Sequence, residues 1–165
     1  MVAVLGGARS GKSRYALQRA SDAGDRVTYL ATARRGDAEL DERIARHVSE
    51  RPAAWRTREV TSDLREAIAE EDADRTLLVD SLGLWVATLL EGSSELDAAW
   101  RGVEEALRGR GAPVIVVSED AGSGLVPESP LGRRFRDELG FMNQRLVAAA
   151  DEAVLMVAGV PLKLR

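Results

Sequence analysis

The sequence predicts an α/β protein with a mainly parallel β-sheet flanked by helices. Apolar runs of strand length alternate along the chain with longer segments of helical periodicity, a pattern typical of repeated βαβ units. The first apolar run leads directly into a glycine-rich turn that a helical pattern follows. The chain has 165 residues, of which 45% are hydrophobic, enough for one compact core and too short for two ordinary domains. We therefore expect residues 1–165 to form a single domain.

The strands are predicted where Val, Leu and other apolar residues dominate: Val2 to Leu5, Val27 to Ala31, Thr76 to Val79, Val114 to Ser118 and Val154 to Val157. Pro161 to Arg165 can add a short edge strand, since proline is tolerated at a strand start or edge. Helical patterns lie between most of the strands, among them Arg14 to Ala20, Asp37 to Glu50 and Leu82 to Leu90. Because helices connect consecutive strands, we expect the strands to run parallel.

The turn after the first strand fits the pattern G-x-x-x-x-G-K-[ST] at every fixed position. It consists of Gly6, Gly7, Ala8, Arg9, Ser10, Gly11, Lys12 and Ser13. In such a loop the backbone N–H groups turn inward around an anion, the lysine reaches the β- and γ-phosphates, and the hydroxyl can bind Mg²⁺. A chance match is rare, and the chain has only two lysines, Lys12 and Lys163. The motif therefore predicts nucleotide phosphate binding.

An acidic residue, Asp80, follows the apolar strand that begins at Thr76. Beside a phosphate-binding loop, a carboxylate at a strand end can hold Mg²⁺ directly or through water. The alternative is a helix N-cap, because Asp80 or Ser81 precedes the apolar helix predicted from Leu82. We predict the metal-binding role, since the phosphate-binding loop is present.

The segment Asp37 to Glu50 has Leu40, Ile44 and Val48 at helical spacing, which indicates a buried stripe. His47, the only histidine of the chain, lies beside this stripe with several arginines nearby in sequence. A partly buried helix histidine with a structural partner is one interpretation. The other is a nucleophile or an acid/base, because a neutral imidazole can attack phosphorus while arginines hold an anionic substrate. Spacing does not decide between them.

A loop of acids, glycines and a proline, Ser118 to Pro127, follows another apolar strand. Ligands of doubly wound sheets gather at the carboxyl ends of the strands, so this loop should face the same crevice as the phosphate-binding loop. It is either a substrate loop or an ordinary strand-to-helix connection. The charged run Arg133 to Glu138 is predicted to be a solvated helix face.

Composition excludes several classes of protein. Without cysteine, the chain has no disulfide, thiolate metal site or cysteine nucleophile. The formal net charge of −4 and a pI near 5.2 disfavour a nucleic-acid surface. Since no apolar run reaches transmembrane length and the N-terminus lacks the layout of a signal peptide, we expect a cytoplasmic protein without a membrane span.

Taken together, the segments resemble the bifunctional adenosylcobinamide kinase/adenosylcobinamide-phosphate guanylyltransferase family of cobalamin biosynthesis. The resemblance covers essentially the whole chain and rests on segments in the family's order and spacing: 6–14, 29–33, 43–47, 51–52, 55–59, 78–82, 122–128, 133–137, 143–145 and 149–152. It implies a P-loop NTPase with a RecA-like, mainly parallel sheet, an antiparallel C-terminal edge strand and a homotrimeric assembly. Trp55, Trp85 and Trp100 fit either interface anchors or core residues.

The resemblance also implies two reactions. The γ-phosphate of ATP or GTP is transferred to the hydroxyl of the aminopropanol arm of adenosylcobinamide, and GMP from GTP is then placed on that phosphate. Adenosylcobinamide-GDP and pyrophosphate result. The second reaction passes through a guanylylated histidine, and His47 matches that position, so the resemblance favours the catalytic interpretation of this residue.

The resemblance further assigns a nucleotide site around His47 to Ala31, Thr32 and Ala33, to Val48, Ser49, Glu50 and Arg51, and to Glu59. Together with the phosphate-binding loop and Asp80, these are the predicted nucleotide-binding residues; His47, Lys12 and Asp80 are the predicted catalytic residues, and Ser13 and Asp80 the predicted Mg²⁺ ligands. The sequence departs from the family at three places. The family often has Asn-Glu where this chain has Glu119-Asp120, commonly a cysteine at Ser81, and in many members a glutamate at Asp80, a position where the shorter aspartate still suits metal binding. Two other functions stay open, a different small-molecule P-loop kinase with a structural His47 and a non-catalytic nucleotide-gated switch.

Overall fold

The structure, a computed structural model, describes residues 1–33, 36, 48, 51–92 and 95–165. Within these residues, seven strands form one sheet in the order β3-β2-β4-β5-β1-β6-β7. Every neighbouring pair is parallel except β6 and β7, which are antiparallel. The predicted α/β class, the mainly parallel sheet and the antiparallel C-terminal edge strand are thus confirmed.

The strands are β1 (Val2–Gly6), β2 (Val27–Ala31), β3 (Arg56–Glu59), β4 (Thr76–Asp80), β5 (Val114–Glu119), β6 (Glu152–Val157) and β7 (Val160–Lys163). Each of the five apolar runs forms a strand, with bounds within two residues of those expected. The edge strand predicted at Pro161 to Arg165 forms as β7, which begins one residue earlier and ends two residues earlier than predicted. The prediction lacked β3, a short and mostly exposed edge strand of charged and polar residues that has no apolar signal.

The helices are α1 (Lys12–Asp22), α2 (Leu64–Glu70), α3 (Leu82–Glu91), α4 (Leu96–Arg108) and α5 (Pro130–Ala149). Their apolar residues form two clusters, one on each face of the sheet. One cluster joins α2, α3, α4 and α5 to the sheet, and the other contains Ala16 and Ala20 of α1. The structure therefore has helices on both faces, as a parallel sheet requires. The predicted helix at 37–50 lies outside the described residues except for Val48.

All three tryptophans are in the core. Trp85 and Trp100 are each 1% exposed, and Trp55 is 9% exposed against the α1 face. Of the two interpretations offered by the sequence, core burial is the one that the structure shows. The charged run of α5 has no buried residue: Arg133, Arg134 and Asp137 are exposed and the other three residues are half-buried. It contains the ion pairs Arg134–Glu138 and Arg136–Asp137, which fits the predicted solvated face with oppositely charged neighbours.

Candidate active site at the carboxyl edge of the sheet

Five neighbouring strands bring their last residues to one edge of the sheet. The strand register pairs Gly6 of β1 with Glu119 of β5, Ala31 of β2 with Asp80 of β4, and Ala31 also with Glu59 of β3. The phosphate-binding loop leaves β1 at this edge and enters α1. Its residues therefore lie beside the ends of β5 and β4, where ligands of doubly wound sheets bind.

The loop has the backbone geometry of an anion cradle. Gly11 has φ +93° and directly precedes α1, and Arg9 also has a positive φ, so the chain turns sharply before the helix. A Cβ atom at position 6 would overlap Ser10 Oγ, which explains the first glycine. Since α1 begins at Lys12, its unpaired N–H groups and the positive end of its dipole favour a bound phosphate.

Lys12 is folded back over the loop. Its side chain is buried, and Nζ donates a hydrogen bond to the Gly7 carbonyl oxygen at 3.3 Å. This contact keeps the ammonium group on the loop, where the sequence predicts it. Ser13 follows in the first turn of α1 and is half-buried.

Asp80 is fixed by an aromatic neighbour. The hydroxyl of buried Tyr29 on β2 donates to Asp80 Oδ2 at 2.7 Å, and the guanidinium of Arg51 lies 3.4 Å from the centroid of the Tyr29 ring. Burial, and next the Asp80 charge, raise the pKa of the Tyr29 hydroxyl above its ordinary value, so it remains a donor. Ser81, not Asp80, caps α3 by accepting from Leu84 N at 3.4 Å. The Asp80 carboxylate is therefore not used as a helix cap.

Thr32 connects β2 to the chain after β4. Its fully buried hydroxyl donates to the Ser81 carbonyl oxygen at 2.7 Å and accepts from Ser81 N at 2.7 Å. The Asp80–Ser81 peptide bond is cis. Thr32 N also donates to the Asp80 carbonyl oxygen at 3.2 Å. The three hydrogen bonds of Thr32 hold the backbone around Asp80 in one position.

A second carboxylate, Glu119, lies between the phosphate-binding loop and Asp80. Its Oε2 accepts from Ser81 Oγ at 2.9 Å and from Gly83 N at 3.1 Å, at the beginning of α3. Burial raises the pKa of the Glu119 carboxyl group, and the Asp80 charge adds to the rise, whereas the Ser81 hydrogen bond and the Lys12 charge oppose it. This edge of the sheet therefore holds Lys12 together with the carboxylates of Asp80 and Glu119, which have different hydrogen-bond partners.

Sequence reasoning did not include Glu119 or Tyr29 among the site residues. Glu119 had a usable signal, since it follows an apolar strand in the same way as Asp80. Tyr29 had none, because an aromatic residue inside an apolar strand indicates only core. The 118–127 loop does begin beside the phosphate-binding loop, since Asp120 N donates to the Gly6 carbonyl oxygen at 3.0 Å.

The structure brings several predicted residues together and leaves others outside its description. Ala31, Thr32 and Ala33 lie at the end of β2 beside Asp80, and Glu59 ends β3. Val48 is 46% exposed and Arg51 lies over Tyr29. His47, Ser49 and Glu50 are outside the described residues. Their predicted roles therefore stay predictions.

Fold and loop define the class of this protein as a P-loop NTPase. One similar solved structure is that of the RadB recombinase, with a TM-score of 0.52 and 19% identity, which covers 93% of this chain and 72% of that chain. Another is a prototypical ATPase from the type III secretion system of pathogenic bacteria, with a TM-score of 0.54 and 13% identity, which covers 93% of this chain and 50% of that chain. At these identities the likeness concerns the fold alone.

The chain belongs to the family described as cobinamide kinase / cobinamide phosphate guanyltransferase, whose model matches residues 2–164. It is 41% identical to the bifunctional adenosylcobalamin biosynthesis protein CobP of Pseudomonas aeruginosa, over 98% of this chain and 95% of the relative. It is 38% identical to the bifunctional adenosylcobalamin biosynthesis protein CobU of Salmonella typhimurium, over 100% and 99%. The family resemblance seen in the sequence is confirmed, and the family is one of enzymes. Among the described residues, no helix is long and apolar enough to cross a membrane.

Proposed function

We propose that this chain phosphorylates adenosylcobinamide with ATP or GTP and then transfers GMP from GTP to adenosylcobinamide phosphate. The match of the family model to residues 2–164 carries the proposal. The phosphate-binding loop with buried Lys12, at one sheet edge with two carboxylates, supports it physically. Both reactions are displacements at a phosphorus atom of a nucleoside triphosphate, with a nucleoside diphosphate leaving in the first and pyrophosphate in the second, and such displacements need the anion positioning that this edge offers.

In the kinase reaction, the acceptor hydroxyl of the corrinoid substrate attacks the γ-phosphorus, and the bond to the β-phosphate oxygen breaks. The loop N–H groups and Lys12 would hold the phosphates in line and stabilise the charge that develops on the leaving oxygen. Tyr29 and Thr32 would keep Asp80 in place through the contacts described above. These residues act mainly by positioning and electrostatics.

In the guanylyl transfer, a neutral imidazole nitrogen of His47 would attack the α-phosphorus of GTP and release pyrophosphate. The phosphate oxygen of the acceptor would then attack the same phosphorus, the N–P bond would break, and His47 would regain its lone pair. The ordinary pKa of histidine, about 6.5, leaves enough neutral imidazole at pH 7 for this chemistry. Ala31 to Ala33, 48–51 and Glu59 would form the nucleotide site around His47.

Mg²⁺ fits the donors at this edge. The Ser13 hydroxyl and the Asp80 carboxylate are hard oxygen donors, the type that Mg²⁺ prefers. Within the described residues, no group of three or more His, Asp or Glu residues could hold a metal ion. Mg²⁺ usually binds one or two protein oxygens together with substrate phosphates and water. When bound, the ion would neutralise phosphate charge.

The decisive experiment uses GTP labelled at the α-phosphate. We expect the protein to acquire an acid-labile, base-stable label, which His47→Ala abolishes while phosphorylation of adenosylcobinamide remains measurable. Because the chain has one histidine, loss of this label in His47→Ala distinguishes it from a label on Lys12 or Lys163. Absence of the label in the active wild-type protein would refute the guanylylated intermediate, and equal loss of both activities in folded His47→Ala would refute the division of labour.

The two lysines provide a matched pair of variants for the loop. Lys12→Ala should weaken nucleotide binding and reduce both activities, because the ammonium group held on the loop would contact the bound phosphates. Lys163→Ala removes the same charge from exposed β7 and should leave both activities unchanged. Equal behaviour of the two variants would contradict the role of Lys12.

We also propose that the protein acts in the cytoplasm as a homo-oligomer, a trimer by its resemblance to the family. Sedimentation equilibrium tests the assembly, and a monomeric mass at working concentration would contradict it.

A further inference from the structure

Four exposed apolar side chains lie at the carboxyl edge of the sheet. We call them the apolar edge residues: Leu84, Leu125, Val126 and Leu131. Leu84 is in the first turn of α3 and Leu131 in the first turn of α5, while the other two belong to the loop between β5 and α5. Helices that follow parallel strands begin at the carboxyl ends of those strands, where the phosphate-binding loop also lies. The four residues therefore share an edge with the phosphate site.

The loop between β5 and α5 begins directly against the phosphate-binding loop. Asp120 N donates to the Gly6 carbonyl oxygen at 3.0 Å. The Asp120 carboxylate in turn accepts from Gly122 N at 3.2 Å and from Ser123 Oγ at 2.7 Å. The first residues of this loop are thus fixed beside the loop that is expected to hold the phosphates.

The other end of the same loop is fixed to α5. Arg133 Nη1 donates to the Pro127 carbonyl oxygen at 3.1 Å. A Cβ atom on Gly132 would lie 2.7 Å from the Pro127 Cβ, so the helix backbone packs directly on the proline ring. The two exposed loop residues, Leu125 and Val126, therefore lie between two fixed ends and outside the core.

These two side chains keep most of their apolar surface in contact with water. Leu125 is 95% exposed and Val126 is 65% exposed. Exposed apolar groups that lie together at a functional edge are typical of binding surfaces, and covering them with a ligand is favourable in proportion to the area removed from water. From Ala121 to Pro127 the loop has no charged residue. The surface thus suits an uncharged, largely apolar ligand.

The apolar edge residues lie on the side of the sheet away from α1. The helices α3 and α5 pack on one face of the sheet, and α1 packs on the other. Since the phosphate-binding loop continues into α1, a nucleotide on the loop leaves the edge above α3 and α5 open. A second substrate can reach the phosphates from that side.

We propose that Leu84, Leu125, Val126 and Leu131 form the surface on which the macrocycle of the corrinoid acceptor lies. In phosphoryl transfer the acceptor hydroxyl must come within about 3–3.5 Å of the phosphorus. The rest of the acceptor, a large macrocycle with methyl and uncharged amide groups, must then cover a surface beside the phosphate-binding loop. Lys12, Asp80 and Glu119 are charged and do not suit it, whereas the apolar edge residues do. The proposal rests on the proposed function, which supplies the corrinoid.

The test measures the two substrates separately. Calorimetry gives the Kd of the non-hydrolysable β,γ-imido analogue of ATP with Mg²⁺, and then the Kd of adenosylcobinamide in the presence of that analogue. Leu125→Ser and Val126→Ser remove apolar surface from the exposed loop. Leu162→Ser, a half-exposed leucine of β7 on the other side of β1 from β5, is the matched control.

We expect Leu125→Ser to weaken binding of adenosylcobinamide roughly tenfold and Val126→Ser about threefold, because less apolar area is then covered. The control should bind it as the wild type does. All variants should bind the ATP analogue alike, which also shows that they are folded. In the kinase assay the KM for adenosylcobinamide should rise while kcat changes little, since no group on the phosphates is altered.

Unchanged binding of adenosylcobinamide in both loop variants overturns the proposal, and so does an equal loss in Leu162→Ser. If Leu125→Ser lowers the mass of the assembly in sedimentation equilibrium and leaves the Kd of adenosylcobinamide unchanged, a second copy of the chain covers these residues and the proposal is wrong. A wild-type protein that binds the ATP analogue but not adenosylcobinamide would refute the proposed function itself, so the two failures are distinguishable.

Discussion

Glu119 should contribute to stability through the donors that it pairs. Its Oε2 accepts two hydrogen bonds, one from Ser81 Oγ and one from Gly83 N. Ser81 is fully buried, so Glu119→Ala would leave its hydroxyl and the Gly83 N–H without this acceptor, away from water. The replacement Glu119→Gln keeps a side-chain oxygen at the same reach. The two variants therefore separate the hydrogen bonds from the charge.

The size of the effect follows from the two unpaired donors. Each hydrogen bond is worth about 1 kcal/mol net, and a buried donor left unpaired costs about 1–3 kcal/mol. We expect Glu119→Ala to lower the free energy of unfolding by roughly 2–3 kcal/mol. Because Glu119→Gln retains an acceptor, it should stay within about 1 kcal/mol of the wild type.

Urea unfolding followed by tryptophan fluorescence measures these differences, since Trp85 and Trp100 are in the core. Glu105→Ala is the control, because Glu105 lies on the exposed face of α4, where a substitution should cost less than about 0.5 kcal/mol. If Glu119→Ala unfolds at the same urea concentration as Glu119→Gln, the paired donors do not carry the effect. A loss in the control as large as that of Glu119→Ala would also refute the reasoning.

Two further predictions concern the same edge. Tyr29→Phe removes the hydroxyl that donates to Asp80, so it should lower the free energy of unfolding by about 1 kcal/mol and reduce the kinase rate. Urea unfolding measures the first effect and a phosphorylation assay the second. An unchanged rate would contradict a positioning role for Tyr29. Burial raises the pKa of Glu119 in the folded state, so its contribution to stability is fully present below the unfolded pKa and is lost as the pH rises through the folded pKa. The free energy of unfolding of the wild type, compared with that of Glu119→Gln, should therefore decline from acidic to neutral pH, and a difference independent of pH would contradict the raised pKa.

The sequence predicts those parts of the fold whose stability comes from apolar burial. β1, β2, β4, β5 and β6 are buried over most of their length, and an apolar run is the direct sign of that environment. β3 is held by backbone pairing with β2 at the sheet edge. Backbone hydrogen bonds do not depend on side-chain type, so a charged strand of this kind leaves no hydrophobic signal.

In the candidate site, too, some residues can be predicted from the sequence and others cannot. A local motif encodes the phosphate-binding loop, because its backbone geometry depends on a few residues that follow one another. Glu119 joins the site only through the sheet order, which sets β5 between β1 and β4. Tyr29 reaches Asp80 across 51 residues of sequence. Contacts of that kind depend on strand order and register, which continuous apolar runs do not specify, because they lack the alternation that fixes a register.

Strand order also gives physical meaning to two of the departures from the residues that the family resemblance implies. The family often has asparagine where this chain has Glu119, and commonly cysteine where it has Ser81, positions separated by 38 residues. In this chain the two side chains form one hydrogen bond of 2.9 Å. A hydroxyl is a stronger donor than a thiol, and a carboxylate is a stronger acceptor than an amide. The two departures therefore suit each other, and Glu119 brings a carboxyl group near Asp80 whose pKa is raised by burial and lowered by the Lys12 charge.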